Sequence, residues 1–142
     1  MPMSTLAAPA SVLPQDQPAQ DLERFLGDPR DPSRPFSLAR SFAHDEAETL
    51  PHEAFVLLTK WGLQQFYIPQ ALGGRLSSFE QVGSLMRTVA RRDMTVAWSH
   101  GLNTLFGAIH PWLWGSAEQQ ARVAGDRQGK LRRDWLWRTG PR

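Results

Sequence analysis

The run from Trp61 to Gly74, WGLQQFYIPQALGG, constrains the fold of this chain more than any other segment. Gly62 follows an apolar helical pattern and suits a helix C-cap, because glycine enters the left-handed conformation without a Cβ penalty. Pro69 fixes φ and removes a backbone donor, so the connection cannot continue as helix. The pair Gly73-Gly74 then permits a tight reversal. The run therefore predicts two helices joined by a tightly turned connection.

Two helices are predicted up to the start of this run. Apolar residues recur at helical spacing between Phe36 and Ala47, so the first helix is expected to run roughly from Arg34 to Leu50. Pro51 suits the first turn of the second helix, where a missing N–H removes no intrahelical hydrogen bond.

The third and fourth helices follow the glycine pair. The serines at 77–78 offer an N-cap oxygen, and Glu80-Gln81 lies three residues on, which is the capping-box arrangement. The pair Arg91-Arg92 is predicted as a solvated helix end, where cations complement the helix dipole. Asp93 is expected to cap the fourth helix, which is apolar or small almost all round from Val96 to Ile109. That pattern indicates a buried central helix.

A shorter, polar fifth helix is predicted next, because Ser116 and Gln119 form a second capping box that opens a helix to about Val123. Hairpin signals and internal repeats are absent. The predicted fold class is therefore all-α, an up-and-down bundle of about five helices behind a disordered N-terminal leader. The leader covers residues 1–34, since seven of the eleven prolines lie in residues 1–35, and a short helical turn is expected within it at Leu22–Leu26.

Charge and composition exclude several classes of function. Residues 1–129 contain 11 Lys and Arg residues and 13 Asp and Glu residues. Residues 130–142 contain 5 basic residues and 1 acidic residue. The basic character thus belongs to a short tail, so no nucleic-acid partner is predicted. The chain has no cysteine and no run of apolar residues long enough for a membrane span. We expect a cytoplasmic protein with no membrane partner.

Five motifs together resemble the N-terminal helical domain of the acyl-CoA dehydrogenase family over about Phe36 to Gly129. The family typically has a GL…IP…GG loop, an ALAR-D-S helix end, an apolar helix and a G-S/T-x-E-Q-K helix start. The matching residues here are Gly62-Leu63, Ile68-Pro69, Gly73-Gly74, VARRD at 89–93 and GSAEQQ at 115–120. The implied division is a leader at 1–34, this domain at 35–129 and a basic Trp/Arg-rich tail at 130–142.

The resemblance implies FAD-dependent oxidation of an acyl thioester to its α,β-unsaturated product. In the family, flavin and thioester bind between a middle β-domain and a C-terminal helical bundle, which supplies a carboxylate base. Here no glutamate follows Glu118, and no flavin-contacting TEPxxGSD element follows Gly129. We therefore expect a truncated fragment that is inactive alone, with a tail that arises from a truncation or an out-of-frame junction. Whether the chain itself is an enzyme stays open.

The resemblance also implies one binding site, because the apolar helix of this domain lines one wall of the acyl pocket in the family. The corresponding residues are Trp98, Gly101, Leu102 and Leu105, and their spacing places them on one helical face. Ordinary core packing would use the same face. If the pocket is real, the bulk of Trp98 and Leu102 favours small acyl groups.

No catalytic residue and no metal ligand are predicted. The four histidines show neither HExxH spacing nor a neighbouring ligand cluster. The implied partners are an acyl-CoA substrate and either further copies of the chain or the domains that complete the enzyme. The alternative is a non-catalytic helical protein-interaction module. The sequence leaves open the chain length of the acyl group and the electron acceptor. It also leaves open whether the enzyme is a dehydrogenase or one of the oxidase, monooxygenase and dehydratase-like relatives.

Overall fold

The computed structural model describes Leu13, residues 16–104 and residues 109–129, with the backbone alone described at 103–104 and 127–129. This part of the chain is all-α, as the sequence predicts, with seven α-helices and no strand. The helices are α1 Gln17–Leu26, α2 Leu38–Glu46, α3 His52–Trp61, α4 Phe79–Ala90, α5 Met94–Thr104, α6 His110–Trp114 and α7 Ala117–Gly129, with 3-10 helices at Leu63–Tyr67 and Gln70–Leu72.

Helices α4 and α5 pack against each other, α1 packs on α4 and α3, and α7 packs on α6 and both 3-10 helices. The core lies where these elements meet. Its fully buried apolar members include Leu22, Leu58, Leu63, Phe66, Tyr67, Leu85, Val89 and Val96. Within the described residues, no helix has the length and apolar character that a bilayer span requires.

Helix α1 corrects the expectation of a disordered leader over residues 1–34. Pro18 occupies the first turn, where its missing N–H costs no hydrogen bond. Leu22 and Leu26 lie four residues apart on one face, and both are buried in the core. The proline-rich composition therefore concealed a short amphipathic helix, while residues 1–12 lie outside the described part of the chain.

The fully buried side chain of Arg92 joins α1 to the turn between α4 and α5. Its guanidinium donates to both carboxylate oxygens of Glu23, with N–O distances of 3.1 and 3.0 Å. It also donates to the carbonyl oxygens of Thr88, at 2.9 Å, and of Gly27. The prediction of a solvated Arg91-Arg92 pair is therefore wrong for Arg92, because Glu23 compensates its charge inside the fold.

Asp93 begins α5 and also attaches α2 to the body of the protein. One carboxylate oxygen accepts the backbone N–H of Val96 at 2.9 Å, so the predicted cap is confirmed. The other accepts the hydroxyl of Ser41 at 2.8 Å. This link matters because no residue of α2 is buried.

Helix α2 is shorter than the predicted span from Arg34 to Leu50. Glu48 takes a positive φ of 52°, a conformation that a helix cannot continue through. The N–H of Thr49 then closes the end on the carbonyl oxygen of His44 at 2.9 Å. Phe42, one of the apolar residues at helical spacing in this segment, is 67% exposed.

The connection after α3 has the predicted turned geometry. Gly62 caps α3 at φ 91° and Gly73 ends the second 3-10 helix at φ 81°, both in the left-handed region. The N–H of Leu76 donates to the carbonyl oxygen of Ile68 at 2.9 Å, which brings the two arms of the turn together. Gly74 lies in that contact, where a Cβ would come within 2.0 Å of the Ile68 oxygen.

Helices α6 and α7 are attached to this connection. The indole N–H of Trp112 donates to the carbonyl oxygen of Tyr67 at 2.8 Å. The predicted capping box at the start of α7 is confirmed: Gln119 N–H donates to the Ser116 hydroxyl at 3.3 Å, and Ser116 N–H donates to the Gln119 amide oxygen at 2.8 Å. Helix α7 continues to Gly129, beyond the predicted end at Val123. The tail at 130–142 lies outside the described residues.

We expect Arg92→Met to lower the free energy of unfolding by about 3 kcal/mol, because it removes the close guanidinium from the partly buried Glu23 carboxylate and leaves only the exposed Arg91, at 3.8 Å. Urea denaturation followed by circular dichroism measures the loss. The matched control is Arg24→Met, which removes the exposed pair with Asp21 and should change little. Equal effects of the two variants would contradict a structural role for the buried pair.

Gly74→Ala should cost at least about 2 kcal/mol, because its Cβ overlaps backbone that cannot move without breaking the Ile68–Leu76 hydrogen bond. Gly125→Ala in α7 is the control, since a Cβ there meets nothing within 4 Å. Thermal unfolding compares the two substitutions. A Gly74→Ala protein as stable as the control would show that the turn is less tightly packed than the structure indicates.

Candidate functional site

An open apolar groove runs between α4 and α5. Its volume is about 320 Å³. Helix α4 contributes Gly83, Met86, Arg87 and Ala90, and helix α5 contributes Met94, Ala97, Trp98, Gly101 and Leu102. The size is at the lower end of the range for small-molecule sites, which are usually concave and mostly apolar.

The α5 wall of this groove exposes large apolar side chains to solvent. Met94 and Trp98 are each 67% exposed, and Leu102 is 37% exposed. The expectation of a central helix buried all round is therefore wrong for the described part of α5. Helix α4 covers one side of α5 and the buried Val96 packs in the core, which leaves the apolar surface of Met94, Trp98 and Leu102 uncovered.

Three of the four residues predicted to form a pocket wall line this groove together. Trp98 belongs to it, as do Gly101 and Leu102 about one helical turn further along the same side of α5. Leu105 lies outside the described residues. Their role in binding an acyl group stays a prediction, although their common position on an open apolar surface favours a binding wall over ordinary core packing.

The α4 side of the groove was missed by the sequence analysis. The structure places Met86 half-buried against the core, with part of its side chain lining the groove. Gly83 gave a signal that went unused, because a glycine inside a helical pattern costs stability and needs a reason. Met94 follows the cap residue Asp93 directly and was not placed on a face.

Arg87 is the basic side chain among the described residues that line the groove. The Arg87 guanidinium donates to the Ser84 hydroxyl at 2.9 Å, and that hydroxyl donates to the Asp16 carboxylate at 2.5 Å. These hydrogen bonds hold the guanidinium towards Asp16, the residue that precedes α1. The groove lining is therefore almost entirely apolar, and Arg87 contributes mainly its aliphatic stem.

A buried polar pair lies on the side of α5 that faces the body. Nδ1 of His100 is 3.2 Å from the Tyr67 hydroxyl, and the imidazole stacks on Phe55 with ring centroids 5.6 Å apart. Burial lowers the pKa of His100 to about 4, because the charged imidazolium loses its hydration. His100 is therefore neutral near pH 7 and supports α5 as an uncharged group.

The described residues contain no group of three or more His, Asp or Glu side chains that could hold a metal ion. The side chains that line the groove offer almost only apolar contact.

A family model described as acyl-CoA dehydrogenase, N-terminal domain, matches residues 37–126. That range includes the groove and the turn that carries Arg92 and Asp93, and it excludes α1. No curated protein and no solved structure gives a significant match to the chain.

The titration of His100 predicts a stability that falls in acid. Its folded pKa of about 4 is below the ordinary value of 6.5, so the unfolded chain binds the proton more tightly. Stability is therefore fully present above about pH 6.5 and is lost as the pH falls towards 4, by about 3 kcal/mol from this group. Urea unfolding between pH 4 and pH 8 measures the loss.

His100→Gln should flatten the pH dependence over this interval, because it removes the titrating group and keeps a polar atom near Tyr67. His52→Gln is the control, since His52 is exposed at the start of α3. Identical pH profiles for the wild-type protein and His100→Gln would contradict the assignment.

Proposed function

This chain belongs to the acyl-CoA dehydrogenase family by its N-terminal domain, and we propose that its α4–α5 groove forms one wall of an acyl-thioester pocket. In this proposal the chain acts within an FAD-dependent oxidoreductase that converts an acyl thioester to its α,β-unsaturated product. The helical body covers the acyl group and packs against the domains that hold the flavin. The supporting observation is that Trp98, Gly101 and Leu102 meet on one open apolar surface.

The groove fits an acyl chain better than it fits FAD. Its lining is apolar apart from Arg87, whereas FAD presents two phosphates and a flavin ring with several polar edges. When bound, the flavin supplies the redox chemistry of the reaction, which no protein side chain provides. We therefore assign the flavin and the carboxylate base to the middle and C-terminal domains that the family implies, and we assign substrate positioning to this chain.

Trp98 is the residue that we expect to limit the length of the acyl group. It projects from α5 and is 67% exposed, so its indole occupies the groove rather than the core. Excluding water around the acyl chain raises the strength of every polar contact at the reacting end. A pocket shortened by Trp98 and Leu102 suits short acyl groups.

A second candidate function is a helical module that binds a partner protein. It is favoured by apolar side chains outside the groove, because Trp114 is 72% exposed, Leu113 is 56% exposed and α2 buries none of its residues. Domains of the same enzyme would cover the same surfaces. A neighbouring reading frame that encodes a flavin-binding domain supports the enzyme, and its absence supports the interaction module.

Isothermal titration of the full chain with butyryl-CoA and octanoyl-CoA tests the proposed pocket, with free CoA as the baseline. We expect tighter binding of butyryl-CoA than of octanoyl-CoA. Trp98→Ala should raise the affinity for octanoyl-CoA by about tenfold relative to butyryl-CoA, because it removes the indole that limits the groove.

Trp114→Ala is the matched control, since Trp114 is similarly exposed but does not line the groove. It should leave both affinities unchanged. If neither acyl-CoA binds more tightly than CoA, or if the two tryptophan variants behave alike, the groove is not an acyl site.

A further inference from the structure

Helix α2 lies on the body of the protein without packing into it. None of its nine residues is buried, and its N-cap residue Ser37 makes no side-chain cap bond. Among the described helices, those that pack closely on one another do not include α2. An isolated helix shorter than about 12 residues is marginal in water, so α2 needs a support outside itself.

One side-chain hydrogen bond supplies that support. The hydroxyl of Ser41, in the middle of α2, donates to a carboxylate oxygen of Asp93 at 2.8 Å. Within the described chain, no other side chain of α2 forms a hydrogen bond or an ion pair with the body. Asp93 is only 5% exposed, and its other oxygen accepts the N–H of Val96 at 2.9 Å. The acceptor is therefore fixed by the body whether or not α2 is in place.

The segment that carries α2 is anchored at both ends. Before the helix, Phe36 is buried, and the N–H of Leu38 donates to the carbonyl oxygen of Pro29 at 2.9 Å. After the helix, Glu48 has a positive φ of 52°, which separates α2 from α3, and Pro51 is buried. Movement of α2 can therefore stay confined to the residues between these two anchors.

We propose that α2 is a strap that opens and closes on the body while the rest of the fold stays intact, and that the Ser41–Asp93 hydrogen bond is its latch. Opening breaks no contact of the hydrophobic core, because no residue of α2 belongs to it. It also leaves the cap of α5 in place, since Val96 uses the other oxygen of Asp93.

The strap opens beside one end of the candidate site, because Asp93 directly precedes Met94, which lines the α4–α5 groove. Elements that move next to binding sites come from the least stable parts of a fold. The proposal itself concerns the fold alone, so it does not depend on the function assigned to the groove.

Amide hydrogen exchange of the full chain, followed by mass spectrometry of peptides from α2 and α4, tests the strap. Amides of α2 should exchange at least about a hundredfold faster than those of α4, because local opening is enough to expose them. Low concentrations of urea should accelerate exchange in α4 but hardly in α2, since local opening exposes little surface. Equal rates and an equal urea dependence would mean that α2 opens only with global unfolding, and they would overturn the proposal.

Ser41→Ala tests the latch. It leaves the nearly buried oxygen of Asp93 without its donor in the closed state, whereas water reaches that oxygen in the open state. Exchange in α2 should therefore become about tenfold faster. Ser41→Thr keeps a hydroxyl at this position and should exchange like the wild-type protein. An unchanged rate in Ser41→Ala would show that this hydrogen bond does not hold the strap.

Trp112→Phe is the control for global stability. It keeps an aromatic ring but removes the indole N–H that donates to the carbonyl oxygen of Tyr67 at 2.8 Å. That bond is present whether α2 is open or closed, so the variant should accelerate exchange in α4 and leave α2 unchanged. Acceleration of both helices would mean that they unfold together. Protection of α2 that rises with protein concentration would assign the helix to an interface between copies. Either result would overturn the strap.

Discussion

The buried ion pair between Arg92 and Glu23 is the interaction on which the rest of this structure depends. A guanidinium loses favourable hydration on burial, and only close, well-placed acceptors offset that cost. Glu23 supplies two, and the carbonyl oxygens of Gly27, at the end of α1, and Thr88, in the last turns of α4, supply two more. Arg92 can reach all four only where α1 ends beside the α4–α5 turn. The next residue, Asp93, then starts α5 and holds α2, so two adjacent side chains fix four helices.

Local signals in the sequence predicted much of the fold because they act over a few residues. The caps at Asp93 and Ser116 and the left-handed glycine Gly62 need no knowledge of the tertiary structure, and all three are confirmed. Helix α1 was predicted only as a short turn within a disordered leader, because prolines dominate the composition around it. That error caused a second one: without α1 there was no Glu23 to compensate Arg92, and an arginine at a helix end was assigned to solvent. The partner of a buried charge can lie 69 residues away, where no local pattern reports it.

The candidate site shows the same division between local and tertiary information. Helical spacing placed Trp98, Gly101 and Leu102 on one face, and the structure places all three along the groove. Spacing could not show that this face is open, because α5 is apolar on nearly every side and only the position of α4 decides which side is covered. Gly83 and Met86 belong to the other wall, which only the packing of α4 on α5 brings to the groove. A single helix in the sequence therefore predicts half of a groove that two helices form.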